Sequence, residues 1–206
     1  MDYLLAFKSF FGENPDHIGK SVIVTNISPI YLGFLSNADR AYTNSGGFYE
    51  NSEIVLCEGK LYHVVKVAPG SCIVDVLKLL TAYVEEIIFV GIAGCISSDY
   101  KVGDVCIPTK FVSPEYVNTE GGIVICQTSG LVQSDAYYYD LQSRGVKLVD
   151  TECYDVYQIC RERAVKLKYI VQISDLPLTL PFYAAPSQPI RMDRILKLIN
   201  DERYVF

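Results

Sequence analysis

Two acidic residues and a glycine-containing stretch carry the residue types that could do chemistry in this chain. Gly91 and Gly94 follow the apolar run 87–90, and Glu152 and Asp175 lie far downstream, each just after a predicted strand. Glycine lacks a Cβ and lets a backbone pass close to a ligand. A carboxylate can accept two hydrogen bonds or transfer a proton. One pocket for a small polar molecule would use all four residues, although a G-x-x-G stretch alone is typical of an ordinary turn.

The elements that must position these residues alternate between strands and helices. Apolar runs and turn residues predict strands at 21–27, 53–57, 61–68, 87–90, 105–108, 123–127, 146–149 and 169–173. Apolar spacings of three and four predict helices at 72–84, 151–164 and 191–200, with Ser71 as the N-cap of the first. Segments 36–52, 129–145 and 176–189 carry no such pattern, and 30–35 predicts one helical turn. The pattern indicates an α/β fold in one domain, 1–206, with a parallel or mixed central sheet covered by helices.

In such sheets ligands bind beyond the carboxyl ends of the strands. The segments 91–94, 150–152 and 174–175 each follow a predicted strand. We therefore expect all three segments to face one pocket.

Composition narrows the classes of partner. The chain has 206 residues, a formal net charge of −6 and a pI near 4.9, which argues against a nucleic-acid or anionic membrane partner and favours a small molecule. Seven cysteines without a C-x-x-C pair read as reduced core residues, so neither disulfides nor a metal site is expected. No apolar run is long enough to span a membrane, and no signal-peptide pattern is present, so a cytoplasmic location is expected.

Three segments, in the same chain order, resemble the nucleoside phosphorylase and nucleosidase superfamily. Residues 69–72 resemble its glycine-serine loop, 88–108 its central signature, and 149–152 with 173–175 its acidic corner and catalytic aspartate. The likeness spans about 21–200. It implies a three-layer fold with a mixed central sheet flanked by helices, cleavage of the N-glycosidic bond of a purine-type nucleoside, no cofactor, and a homo-oligomer.

The same resemblance implies roles for the acidic residues. Asp175 would donate a proton to the departing base, held by Ser174, because an oxocarbenium-like sugar needs a neutralised leaving group. Glu152 would bind the ribose hydroxyls. From the residues alone, Glu152 could instead be an acid at a helix N-terminus, Asp175 the cap of the next turn, and Ser174 a plain turn residue.

The resemblance implies further substrate contacts besides the acidic residues. Tyr137 would form an aromatic wall under the base, although ordinary packing explains a tyrosine equally well. Thr151 stands where the family usually has methionine. The other positions that would line the nucleoside are Gly91, Ile92, Ala93 and Gly94.

The positions that hold phosphate in the family's phosphorylases are occupied by different residue types. They align with Ile27, Tyr31, Phe89 and Ile92. Apart from a weak contribution from the Tyr31 hydroxyl, none of these side chains can bind an anion, so hydrolysis is favoured over phosphorolysis.

The nucleosidases instead place a glutamate in the first loop to activate water, and 25–31 contains no acid. Neither His17 nor His63 is a convincing substitute. The activating group would then be missing or supplied from elsewhere, for example by Glu50, Glu53 or a neighbouring subunit. A non-catalytic relative that binds a nucleoside or serves as an oligomer partner is the alternative. A flavodoxin-like or other nucleotide-binding domain would explain the glycines but not the paired acids.

Overall fold

A computed structural model describes residues 2–44, 46–56, 59–70, 72–116, 121–129 and 133–205. The helices are α1 Tyr3–Phe11, α2 Ser28–Asn37, α3 Cys72–Leu80, α4 Asp135–Ser143, α5 Cys153–Glu162 and α6 Met192–Ile199. The strands are β1 Ser21–Thr25, β2 Arg40–Asn44, β3 Asn51–Val55, β4 Leu61–Lys66, β5 Glu86–Cys95, β6 Val105–Cys106, β7 Lys110–Val112, β8 Val124–Gln127, β9 Leu148–Asp150 and β10 Lys166–Asp175. The predicted N-cap Ser71 lies outside the described residues.

Within the described residues the strands form one ten-stranded mixed sheet, with the order β2-β3-β4-β1-β5-β9-β8-β7. Strand β10 also pairs with β5 in parallel, from Lys166 beside Glu86 to Asp175 beside Gly94. The long strands β5 and β10 therefore form the centre of the sheet. Both consist mainly of buried residues, as the continuous apolar runs in the sequence predict.

Helices cover both faces of this sheet, which confirms the predicted three-layer α/β architecture. On one face Val171 and Ile173 of β10 belong to the same core as residues of α1, α3 and α5. On the other face Ile170 packs in a core that includes α2 and α6. Successive side chains of β10 thus alternate between two cores, as the pleat of a strand requires.

Four local predictions differ from the structure. The predicted loop 36–52 contains the edge strand β2, whose side chains are almost all exposed and so show no apolar alternation. The segment 129–145 contains helix α4, capped by Ser134. The helical turn at 30–35 is the longer helix α2, which has a proline in its first turn. The G-x-x-G stretch is not a loop, because Gly91 and Gly94 lie inside β5.

Among the helices that the structure describes, none is both long and apolar enough to cross a membrane.

Candidate active site

A cavity of about 420 Å³ lies at the carboxyl half of β5 and β10. It is lined by β5, β9 and β10, by the connections that follow β1, β4 and β9, by the start of α2, and by the segment that follows β10. The lining residues are Asn26, Ile27, Pro29, Pro69, Ile92, Ala93, Gly94, Val149, Asp150, Thr151, Glu152, Gln172, Ser174, Asp175, Phe182, Ala185, Pro186, Ser187, Gln188 and Ile190. The structure therefore brings together Gly94, Glu152 and Asp175, as expected, but not Gly91.

The expected geometric reason is wrong for one of the strands. Strand β9, which leads to Glu152, runs antiparallel to β5, with Val149 beside Gly94. Its carboxyl end therefore points opposite to that of β5 and β10. The acidic corner reaches the cavity because β9 is short. It pairs with Gly94 and Cys95 and ends beside the carboxyl half of β5.

A break in the β5–β10 register turns Asp175 into the cavity. The pairing shifts between Ile173 and Asp175, which is the signature of a bulge. Consecutive strand residues normally face opposite sides, and a bulge re-aims one of them. Ser174 and Asp175 consequently both line the cavity.

Asp175 is held by short polar contacts in a buried environment. The Ser174 hydroxyl lies 2.5 Å from Asp175 Oδ1 and 3.2 Å from the Ala93 carbonyl oxygen. Burial raises the pKa of Asp175 above its ordinary value, while the Ser174 hydroxyl and the Phe182 backbone N–H lower it. A raised pKa increases the fraction of Asp175 that carries a proton near neutral pH.

Glu152 does not cap its own helix. It occupies the N-cap position of α5, but its side chain makes no capping bond. The Gln127 side-chain oxygen accepts from the N–H groups of Tyr154 and Asp155 at 2.9 Å and caps the helix instead. Glu152 Oε1 accepts from the Gly70 N–H at 2.8 Å. The carboxylate is therefore turned into the cavity, away from the role of a helix-terminal acid.

Asp150 is a third carboxylate in the cavity, and the sequence reasoning did not select it. Its Oδ1 accepts from the Glu152 N–H at 2.7 Å and from the Tyr169 hydroxyl at 3.2 Å. Burial, followed by the charge of Glu152, raises the pKa of Asp150 to about 7. Its position two residues before Glu152, at the end of a strand, is the signal that would have identified it.

Gly94 and Gly91 both lie where a Cβ would be too close to a neighbouring side chain, but the neighbours differ. A Cβ on Gly94 would lie 2.9 Å from Pro177 Cγ and 3.3 Å from Asp175 Oδ2. A Cβ on Gly91 would lie 2.9 Å from the ring of Phe89, outside the cavity. Only the Gly94 position therefore leaves room beside the acidic group.

The phosphorylase superfamily model matches residues 36–140, just over half of the chain. The chain belongs to this superfamily. The family predicted from three sequence segments is therefore confirmed. No curated protein sequence matches the chain.

Solved structures show the superfamily fold at low sequence identity. The 5′-methylthioadenosine/S-adenosyl homocysteine nucleosidase of Helicobacter pylori is 17% identical, with a TM-score of 0.70 over 90% of this chain and 99% of that chain. A Plasmodium knowlesi homologue of the P. falciparum purine nucleoside phosphorylase is 15% identical, with a TM-score of 0.74 over 92% and 89%. A uridine phosphorylase of Vibrio fischeri is 14% identical, with a TM-score of 0.71 over 86% and 87%.

The four predicted phosphate-site positions of this superfamily member divide into two pairs. Ile27 and Ile92 line the cavity with apolar side chains. Tyr31 and Phe89 are buried elsewhere: the Tyr31 hydroxyl lies 2.7 Å from Ser52 Oγ, and Phe89 stacks on Tyr169 with ring centroids 4.6 Å apart.

Tyr137 lies outside the cavity that holds the acids. It lines a separate depression with Gln127 and Tyr154. The neighbouring Tyr138 is buried, and the charge of Asp175 contributes, after burial, to the raised pKa of the Tyr138 hydroxyl. Of these adjacent tyrosines, Tyr138 is thus the one electrostatically coupled to the acidic site. Thr151 lines the cavity.

The residues considered as water activators lie away from the cavity. Glu50 pairs with Lys66 at 2.7 Å, and Glu53 pairs across the sheet with His63. His63 Nδ1 accepts from the Gly19 N–H at 3.1 Å, so this histidine has a structural partner. Among the described residues, none of these groups lines the cavity, and no His, Cys, Asp and Glu cluster could hold a metal.

Proposed function

We propose that this protein hydrolyses the N-glycosidic bond of a purine-type nucleoside. The observation that carries this proposal is the composition of the cavity: Asp150, Glu152 and Asp175 line it, while its described lining contains no lysine, arginine or histidine. A nucleoside is neutral and rich in hydroxyl groups. Such a ligand suits carboxylates better than a phosphorylated one does.

Asp175 is the proposed proton donor to the leaving base. Its pKa is raised by burial, and an acid with a raised pKa keeps a proton to donate near neutral pH. The Ser174 hydroxyl fixes the carboxyl group from one side. Protonation of the imidazole nitrogen of a purine neutralises the leaving group as the sugar acquires oxocarbenium character.

Glu152 is the proposed ligand of the ribose hydroxyls. One carboxylate oxygen accepts from the Gly70 N–H, and Oε2 has no hydrogen-bond partner in the part of the chain that the structure describes. A carboxylate with one anchored oxygen presents the other in a fixed direction. The Gly70 bond thus orients the group that would accept from a hydroxyl.

Water is the proposed nucleophile because the cavity disfavours phosphate. The predicted anion positions at Ile27 and Ile92 are apolar. Burying a dianion without partners costs several kcal/mol or more, and the three carboxylates add repulsion. Water carries no such cost. Turnover should therefore not depend on phosphate.

A nucleoside-binding protein without catalysis is the second candidate. It is favoured by one observation: no acid other than Asp150, Glu152 and Asp175 lines the described cavity, so a separate water-activating group is lacking there. Without such a base, hydrolysis loses about 10²–10⁴ in rate. Nucleoside binding without base release would distinguish this candidate from the enzyme.

The decisive experiment incubates the protein with a panel of nucleosides, with and without phosphate, and measures free base and sugar product by chromatography. We expect base and free ribose at the same rate in both conditions. Asp175→Asn should slow the release by about 10²–10⁴, whereas substitution of Asp99, an exposed carboxylate paired with Lys147, by asparagine should not. Ribose 1-phosphate as product would refute the hydrolytic proposal. Absence of both base release and nucleoside binding would refute the function itself.

We also propose a cytoplasmic homo-oligomer with an interface near the cavity. An apolar surface groove formed by Leu32, Leu35 and Met192 shares Pro29 and Ile190 with the cavity lining. Leu32 is 59% exposed, and exposed apolar patches are typical of interfaces. Light scattering that shows a monomer at micromolar concentration would contradict the assembly.

A further inference from the structure

The segment 181–190 forms one wall of the cavity, and we call it the strap. It connects the end of β10 to α6 and contributes Phe182, Ala185, Pro186, Ser187, Gln188 and Ile190 to the lining. Its first half folds on itself, because the Pro181 carbonyl accepts from the N–H groups of Ala184 and Ala185. Its second half, 186–190, contains two prolines, which have no N–H to donate.

One side chain supplies the polar contacts of this second half. Gln172 on β10 is 2% exposed. Its Nε2 donates to the Pro189 carbonyl at 3.1 Å, and its Oε1 accepts from the Arg191 N–H at 2.7 Å. Among the described residues, no other hydrogen bond reaches the backbone of 186–190.

The orientation of this amide is defined by its partners. The Pro189 carbonyl can only accept and the Arg191 N–H can only donate, so the Gln172 amide fits in one direction. Gln172 and Ser174 lie on the same side of β10, two residues apart, and both line the cavity. The two hydrogen bonds of Gln172, which we call the clamp, therefore lie next to Ser174 and Asp175.

We propose that Gln172 is a positioning residue that fixes the strap as the cavity wall and thereby sets nucleoside affinity. This role rests on the proposed function. The first half of the strap is closed by the bonds to the Pro181 carbonyl, and Gln172 holds the opposite end. Both ends of its amide are occupied by backbone, so Gln172 acts through the strap rather than on the nucleoside.

The test compares Gln172→Met and Gln172→Glu with the wild-type protein. Methionine keeps the length of the side chain and removes both bonds. Glutamate can still accept from the Arg191 N–H but opposes the Pro189 carbonyl, and it serves as the second variant should the methionine variant fail to fold. Asn51→Leu is the matched control, because Asn51 is also a buried amide that donates to a backbone carbonyl, Phe11 O at 2.8 Å, outside the cavity.

The first readout is hydrogen exchange, which needs no substrate. The Arg191 amide should exchange at least about tenfold faster in Gln172→Met, because methionine loses both bonds. The increase should be smaller in Gln172→Glu, because glutamate can still accept from the Arg191 N–H. The second readout is steady-state kinetics. The KM for nucleoside should rise about tenfold while kcat changes by less than about threefold, as expected when binding rather than the chemical step is affected. Asn51→Leu should change neither quantity.

Unchanged Arg191 exchange would overturn the clamp, and faster exchange with an unchanged KM would overturn its role in affinity. A fall in kcat with an unchanged KM would also overturn it, since Gln172 would then act on the chemistry. An inactive wild-type protein that binds no nucleoside refutes the proposed function, whereas an active wild type with an unaltered variant refutes only the role of Gln172.

Discussion

Asp150→Asn should change how the free energy of unfolding depends on pH. Burial of Asp150, followed by the nearby charge of Glu152, raises the pKa of the carboxyl group from 3.8 to about 7. A shift of this size corresponds to about 4 kcal/mol of preference for the protonated form in the folded state. The Asp150 side chain is only slightly exposed, so solvent screens little of this effect.

The sign follows from which state binds the proton more tightly. The pKa of Asp150 is higher in the folded protein than in the unfolded chain, so its contribution to stability is fully present below about pH 4 and is lost as the pH rises through about 7. Between about pH 5 and about pH 8 this loss amounts to roughly 3 kcal/mol. Asparagine has no charge to titrate, so this part of the pH dependence should vanish in the variant.

The difference between variant and wild type isolates Asp150. Asparagine can still accept from the Glu152 N–H and the Tyr169 hydroxyl. Replacing one carboxylate oxygen with an NH₂ group costs about 1 kcal/mol at every pH. Other groups with shifted pKa values, such as His63, titrate in both proteins and cancel to first order.

Urea unfolding followed by circular dichroism at several pH values measures this difference. The stability of the variant relative to wild type should rise by roughly 3 kcal/mol from about pH 5 to about pH 8. Asp99→Asn is the control: the Lys147 side chain lowers the pKa of Asp99, so this carboxyl group does not titrate in the range. A constant difference between Asp150→Asn and wild type across the range would refute the reasoning.

Three further predictions concern the site. Asp175→Asn should slow base release by about 10²–10⁴ and leave nucleoside affinity nearly unchanged, because an amide has no proton to transfer; calorimetry and a release assay separate the two. Glu152→Gln should weaken nucleoside binding by about tenfold, measured as Kd, because one charge-assisted bond is lost; an unchanged Kd would contradict this. Gly94→Ala should lower activity, because its Cβ would lie 2.9 Å from Pro177 Cγ and 3.3 Å from Asp175 Oδ2, whereas Gly19→Ala, with its nearest atom at 3.8 Å, should be neutral.

The fold was largely predictable because its central strands are read from local composition. The apolar runs of β5 and β10 are buried on both faces, and such runs are typical of central strands. Helix α3 was predictable from its apolar stripe. The edge strand β2 was not, because its residues face solvent and their pairing with β3 leaves no hydrophobic pattern.

The site was predictable in residue type but not in geometry. Glu152 follows β9, Asp175 is the last residue of β10, and the two acids meet in one cavity. The antiparallel direction of β9 and the bulge before Asp175 depend on pairing with β5, a strand more than 50 residues away. The role of Gln172 was also not predictable, because its partner Pro189 lies in a proline-rich segment without periodicity.

Hydrogen bonds between residues far apart in the sequence connect the segments that line the cavity. The Gly70–Glu152 bond spans 82 residues and the Ser174–Ala93 bond spans 81. Contacts of such sequence separation require costly loop closure, so we expect them to form late in folding. A nucleoside would accordingly bind the completed fold and not a partly synthesised chain. Its binding energy would then protect the whole molecule against unfolding and proteolysis, by an amount that grows with the logarithm of its concentration.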